Sequence, residues 1–317
     1  MTLTTTPFGP RATAAETLAG VDLGGRRIIV TGGSSGLGAE TVRALAGAGA
    51  QVTVAARNSA DADPLLAEFP GTRAVALDLA DLASVRAFCA AWTGPVDALV
   101  ANAGVMMLPT RQVTAEGWEM QLAINYLGHF ALALGLHSAL RQAEEPRVVL
   151  VSSGAQLRAG VDFEDPQFER RPYDPFTAYA QSKTADVLLA AGISRRWAEY
   201  GITANACAPG FIHTKLQRHL DDATMHALGA MDADGNLVTP DYYKTPEQGA
   251  STQVLLAASP LLAGVTGRYF EDNQESPVVD GGPDPMAGVA KWSVDPDAAD
   301  RLWEYALPLV RRVSGLG

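Results

Sequence analysis

Cysteine is scarce in this chain: two in 317 residues, Cys89 and Cys207. Two thiols cannot build a disulfide framework or a cysteine-rich zinc site. Basic charge is also short, with 24 Lys and Arg against 35 Asp and Glu, a net charge of −11 and a sequence pI near 4.9. Scattered cations on an acidic chain point away from nucleic acid and from anionic membrane surfaces as partners. Long apolar runs are missing too, none reaching the roughly 18 residues that a membrane span needs. No apolar core follows the first basic residue, Arg11, so no signal peptide is expected. Internal repeats and low-complexity linkers are absent. With 47% hydrophobic and 19% charged residues the chain is too apolar to stay disordered. What remains is a soluble globular protein, expected in the cytoplasm.

What the chain does have is alternation. Residues 1–24, rich in Thr and Ala, read as an N-terminal arm, and residues 25–317 as a single domain. Short β-branched runs at 28–30, 52–54, 75–77, 98–100 and 148–151, with a weaker one at 202–206, predict strands. Between them, stretches at about 36–48, 81–92, 116–143 and 177–200 have helical character. Strands that are apolar throughout and alternate with helices imply a parallel sheet covered on both faces. The expected architecture is one doubly wound α/β sheet in the order 3-2-1-4-5-6-7, with helices on both faces and the seventh strand from 265–270. Insertions at about 154–176 and 210–246 interrupt the alternation, and long segments after strand ends usually build a ligand crevice.

After the first strand comes Thr31-Gly32-Gly33-Ser34-Ser35-Gly36-Leu37-Gly38, opening a helix. Glycines there let the backbone turn tightly and approach a pyrophosphate, with helix N-terminal N–H groups facing its charge. The spacing is T-G-x-x-x-G-x-G rather than G-x-G-x-x-G. In this it resembles the short-chain dehydrogenase/reductase family, whose Rossmann-like fold the rest of the chain also resembles over roughly residues 16–310.

Further matches follow in the family's order. The second strand ends Ala55-Ala56-Arg57. Ala56 stands where an NAD-preferring site carries a carboxylate for the adenosine ribose, and Arg57 can clamp a 2′-phosphate, which favours NADP over NAD. The alternative is an ordinary solvated arginine at a strand end. Asp78-Leu79 resembles the family's adenine contact, and Asn102-Ala103-Gly104 its turn beside the cofactor ribose. Pro209-Gly210-Phe211-Ile212-His213-Thr214 resembles the P-G-x-x-x-T segment that holds the nicotinamide carboxamide and pyrophosphate. In the family this fixes the pro-S ring face for hydride transfer. His213 lies near His219 and His226, but their spacing matches no metal motif, so no metal is expected.

The sharpest signal is Tyr179-Ala180-Gln181-Ser182-Lys183. With eight tyrosines and four lysines in the chain, a chance Tyr-x-x-x-Lys match is rare. On a helix this spacing puts phenol and ammonium on one face. A free phenol titrates near 10, and lowering it by about three units takes roughly 4 kcal/mol of differential stabilisation. A neighbouring ammonium supplies part of that. By resemblance, Tyr179 is the proton donor or acceptor and Lys183 also binds the nicotinamide ribose. Ser153, the second of two serines closing the fifth strand, holds the substrate oxygen. Asn125, in Asn125-Tyr126-Leu127-Gly128-His129-Phe130, holds a relay water. His129 is expected only to pack.

The segment between Ser153 and Tyr179 is about twice as long as in shorter family members. That length, the Asn-x-Leu-Gly-His-Phe segment and the N-terminal Thr13-Ala14-Ala15-Glu16 resemble the subgroup of retinol dehydrogenases and WW-domain-containing oxidoreductase. The resemblance implies an NADP-dependent carbonyl reductase or alcohol dehydrogenase with a small-molecule substrate. Met106, Met107 and Leu108, with Phe211, Leu216, Leu220, Met225, Leu228, Met231, Tyr242 and Tyr243, suggest a bulky lipophilic one. The alternative is that half of these side chains merely pack a lid. Reduction of an activated C=C bond and non-catalytic NADP binding stay open as rival functions. Homodimer and homotetramer are both open for the assembly.

Overall fold

In the computed structural model, which describes residues 2–227, 229–232 and 234–314, seven parallel strands run in the expected order. They are β1 (Arg27–Thr31), β2 (Gln51–Ala56), β3 (Arg73–Ala76), β4 (Ala98–Ala101), β5 (Arg147–Val151), β6 (Thr203–Ala208) and β7 (Tyr269–Glu271). An antiparallel eighth strand, β8 (Gln274–Glu275), pairs with β7 and extends the edge. A separate two-stranded pair joins β9 (Val278–Val279) to β10 (Val289–Ala290).

Helix α1 (Ala14–Thr17) precedes the sheet, and α2 (Gly36–Gly47), α3 (Asp63–Glu68) and α4 (Leu82–Ala91) link its first four strands. After β4 come α5 (Met120–Leu122), a π-helical turn at Ala123–Leu127 and α6 (Gly128–Leu140). Helix α7 (Pro175–Arg196) follows β5, and α8 (Asp222–Ala227), α9 (Pro246–Gly249) and α10 (Ser251–Ala258) follow β6. The chain closes with α11 (Pro296–Ser314).

The uniform apolarity of the strands has a direct cause, because successive side chains point to opposite faces and both faces are covered. Ile29, Leu99, Val148 and Leu150 pack against α4, α6, α7 and α11. Ile28, Val30, Val52, Val54, Val100, Val149 and Val151 face the other layer, built from α1, α2 and α10. Helix α7 is buried along most of its length, from Ala178 to Ile193, because it lies between the sheet and α11.

Three expectations shift. The seventh strand covers 269–271 rather than 265–270, because Gly264 and Gly267 adopt positive φ and make 264–267 a turn. The helix expected over 116–143 starts at Met120 and is broken by the π turn. The helix expected over 177–200 starts earlier, at Pro175, where proline suits the first helical position and Asp174 caps the Thr177 N–H.

Candidate active site

A cleft of about 870 Å³ opens at the C-terminal ends of β1, β2 and β4. Its walls include Gly32, Ser34, Ser35, Gly36, Leu37 and Gly38 of the glycine-rich turn, Arg57 after β2 and Asp78 and Leu79 after β3. Asn102, Ala103, Gly104 and Thr214 line it as well. Gly32 and Gly36 have φ of +64° and +54°, a region L side chains rarely adopt. At Gly38 a Cβ would lie 2.2 Å from the Gly32 carbonyl oxygen and 2.7 Å from Asn102 Nδ2. The turn is thus wound so closely that only backbone fits, leaving N–H groups and the start of α2 to face the cleft. A dinucleotide's pyrophosphate suits such a cradle.

The turn at 102–104 is fastened to β1. Thr31 Oγ1 accepts from the Asn102 and Ala103 N–H groups at 3.0 Å each, and Asn102 Nδ2 donates to the Thr31 carbonyl at 2.9 Å. Gln253 Nε2 donates to Asn102 Oδ1 at 3.1 Å. The Asn102 side chain is therefore committed to the scaffold, and the cleft meets the turn mainly through its backbone.

At the end of β2, Ala56 is buried and Arg57 exposed on the rim. No acid stands at 56, and the nearby Asp61 accepts from Asn58 Nδ2 at 2.7 Å. Two further cations line the same cleft, Lys215 and Arg218, from a 3₁₀ turn capped by Thr214. Sequence reasoning stopped at Thr214 and missed them, although two cations just past the Pro-Gly-x-x-x-Thr segment of an acidic chain were a usable signal.

Tyr179, Lys183, Ser153 and Asn125 sit where β5, α7 and the π turn converge. Ser152 Oγ donates to the Lys183 carbonyl at 2.7 Å and so pins α7 to the end of β5. Ser153, half-buried, caps the following turn by accepting from the Ala155 N–H at 3.2 Å. Lys183 is buried, and its Nζ donates to the Val151 carbonyl and to Asp186 Oδ2, both at 2.9 Å. Nζ lies 6.0 Å from the centre of the Tyr179 ring. Burial works against this ammonium, but the negative charge of Asp186 and the neighbouring Tyr179 outweigh it and hold the lysine above its usual range.

Asn125 is fully buried. Its Oδ1 accepts from the Val105 N–H at 2.9 Å, and its Nδ2 donates to the Val105 carbonyl at 3.0 Å and to Ser182 Oγ at 2.8 Å. It ties the loop after β4 to the Tyr-x-x-x-Lys helix. Its main-chain carbonyl, in the π turn, meets His129 Nδ1 at 2.8 Å. Burial pushes His129 down to about 4, so the ring is neutral. Nδ1 carries the hydrogen because a carbonyl only accepts, and Nε2, 2.9 Å from Thr31 Oγ1, then accepts from that hydroxyl. His129 does more than pack, since it joins the Asn125 carbonyl to the residue that fastens the 102–104 turn.

Pro209, Gly210 and Ile212 lie beyond the lining of the cleft, in the segment after β6, where Phe211 bridges to Tyr243. Of the apolar residues expected to line a substrate pocket, Met225, Met231, Leu220 and Tyr243 pack on one another as a small separate cluster. Leu216 lines the cleft and Leu108 is buried. Leu228 lies outside the described residues. Met106, Met107, Phe211 and Tyr242 keep exposed surface. His213 Nε2 bonds the Val238 carbonyl and His226 Nδ1 the Met231 carbonyl, so both rings serve the lid.

The family model described as short chain dehydrogenase matches residues 26–224. A "probable oxidoreductase" of Streptomyces lividans is 64% identical over 290 residues, covering 90% of this chain and 97% of that one. Human "retinol dehydrogenase 14" is 33% identical over 308 residues, covering 90% and 86%. Among solved structures, the "Pseudomonas aeruginosa RhlG/NADP active-site complex" superposes with a TM-score of 0.59 at 26% identity, over 80% of this chain and 96% of that one.

Proposed function

The chain belongs to the short chain dehydrogenase family and is an oxidoreductase of its retinol dehydrogenase-like subgroup, and we propose that it uses NADP(H) to interconvert a lipophilic carbonyl compound and its alcohol. The observation that carries this reading is the buried Lys183 ammonium, bonded to Val151 and facing Tyr179 at the end of β5. An ammonium in a dry site acts more strongly on a neighbouring phenol than it would in water. The nicotinamide cofactor, when bound, supplies or takes up the hydride.

The chain's own groups do the rest. The cradle at 32–38 and the turn at 102–104 receive the dinucleotide, and Asp78 and Leu79 border its adenine. Pro209, Gly210, Ile212 and Thr214 hold the nicotinamide end. Tyr179 gives its phenolic proton to the substrate oxygen in reduction, and Ser153 donates a hydrogen bond to that oxygen as charge develops. Lys183, with a relay water held by Asn125, reconnects the phenol to solvent, from which its proton is replaced. Arg57 beside Ala56 supports NADP over NAD, because a guanidinium suits a phosphate and no carboxylate stands at position 56 to hold the ribose hydroxyls. An NADP complex among the structural relatives points the same way. Met106, Met107, Phe211 and Tyr242 offer adaptable apolar surface for a bulky substrate.

Thermal-shift titration with NADPH and NADH in parallel tests the cofactor. NADPH is expected to stabilise the protein at clearly lower concentration, by about 2.7 kcal/mol at 100 times its Kd. A lower effective concentration for NADH overturns the role of Arg57. Tyr179→Phe is expected to abolish reduction of ketones and aldehydes while leaving NADPH binding within about two-fold. Turnover close to wild type in that variant overturns the assignment of the acid.

A further inference from the structure

The chemistry above uses Tyr179, Ser153, Lys183 and Asn125 and leaves a buried acid beside them unused. Asp186 lies one turn beyond Lys183 on α7 and is 2% exposed. Its Oδ2 accepts from Lys183 Nζ at 2.9 Å, and its Oδ1 has no hydrogen-bond partner among the described residues. Among the described residues few other titratable groups face the pair. Tyr179 shares the helix, and Tyr126 of the π turn feels the carboxylate but donates its hydroxyl to the Leu302 carbonyl at 3.3 Å. Arg196, at the far end of α7, acts on Tyr126. From α6 comes His129, kept neutral by burial, and from β6 the Cys207 thiol, pushed up to about 12 by burial.

A carboxylate with one bonded oxygen and one bare one is a costly way to fill space in a core. An uncharged side chain of similar volume would pack there without that cost. What the acid brings is negative charge against an ammonium that burial alone would neutralise. Burial pushes the Asp186 carboxyl up, and the pull of Lys183 opposes it, so each ion depends on the other.

We propose that Asp186 is a positioning residue for the proton transfer: it is the counter-ion that keeps Lys183 cationic and, together with the Val151 carbonyl, fixed before Tyr179. The role rests on reading Tyr179 and Lys183 as the proton-transfer pair, while the ion pair itself does not. Asp186→Asn keeps the shape and an acceptor oxygen and removes the charge. Asp186→Glu keeps the charge.

The chain has four lysines, at 183, 215, 244 and 291, so ¹³C labelling at lysine Cε gives four NMR signals, and that of Lys183 is identified by its loss in Lys183→Met. The wild-type Lys183 signal is expected to stay untitrated up to the ordinary lysine range, about pH 10.4. In Asp186→Asn its midpoint falls by about one unit or more, and in Asp186→Glu it moves by less than about half a unit. A wild-type Lys183 that titrates below the ordinary range overturns the proposal even if no variant folds. An unmoved midpoint in folded Asp186→Asn overturns it as well. No substrate enters this measurement, so a protein that reduces no carbonyl refutes the proposed function without touching the ion pair. Where turnover is measured, the alkaline limb of kcat/KM for reduction in Asp186→Asn moves about one pH unit lower, a ten-fold loss per unit above it. Both the protonated phenol and the charged lysine favour that direction when a nearby anion is removed. A limb that stays in place limits Asp186 to a structural role and overturns the positioning one.

Discussion

A single methyl group is enough to probe the cradle. At Gly38 it would stand 2.2 Å from the Gly32 carbonyl oxygen, a rigid backbone atom that cannot swing aside as a side chain would. Gly38→Ala is therefore expected to push α2 from the turn, costing on the order of 1–3 kcal/mol of stability and weakening NADPH and NADH alike. Urea unfolding and fluorescence titration of both cofactors check this, and unchanged affinity for both would show that the close approach is not needed. The glycine spacing was legible because it is local, and so was Tyr179 with Lys183, four residues apart on one helix. Asp186 was equally visible as a letter, and its place three residues after Lys183 makes the two helical neighbours, but that spacing does not say that the pair is buried.

At the level of elements, the entry into α6 shows how a local irregularity serves the site. The π turn at Ala123–Leu127 carries Asn125, whose carbonyl meets His129 Nδ1 one turn further on, at 2.8 Å. His129 is neutral because burial lowers it to about 4 from an ordinary value of 6.5, so the unfolded chain binds the proton more readily than the folded one. The stability this gives is fully present above pH 6.5 and is lost as pH falls towards 4, a loss of about 3 kcal/mol. His129→Asn, which keeps a donor near Nδ1 and cannot protonate, is expected to lack that part of the acid loss. Urea unfolding at pH 7 and pH 4.5 on both proteins makes the comparison, and parallel losses would remove His129 from the account. Sequence reasoning gave this histidine a packing role because its two partners are 98 residues away in Thr31 and hidden in a backbone carbonyl.

Across the whole molecule, the first residues link the far edge of the sheet to the lid. Thr4 and Thr6 donate from their N–H groups to Glu275 and Gln274, Asn273 Nδ2 donates to the Gly9 carbonyl, and Gln274 Nε2 to the Phe8 carbonyl. Arg11 then reaches the carbonyls of Tyr243 and Asp241. This strap covers the short β8 edge and holds the segment that faces Phe211. Removing residues 2–12 deletes at least these bonds, at about 1 kcal/mol net each, and is expected to lower Tm and to speed protease cleavage within 210–246. An unchanged cleavage pattern would show that the lid is held without the strap. Among the described residues no helix is long and apolar enough to cross a membrane.

The sequence by itself determined the alternation of strands and helices, the glycine spacing and the Tyr-Lys pair, because each is written in local periodicity or short spacing. Parallel strands buried on both faces need continuous apolar runs, a cradle needs glycines at set intervals, and one helical turn brings i and i+4 together. Tertiary structure alone decided which polar groups lose water and which partners then satisfy them. Helical spacing sets Asp186 beside Lys183, but only the packing of α7 under β5 buries the pair in the core. Only the fold joins His129 to Thr31, brings Lys215 and Arg218 to the cleft and turns half of the apolar lid inward on itself. Burial is a property of the whole chain's arrangement, and no short stretch of sequence carries it.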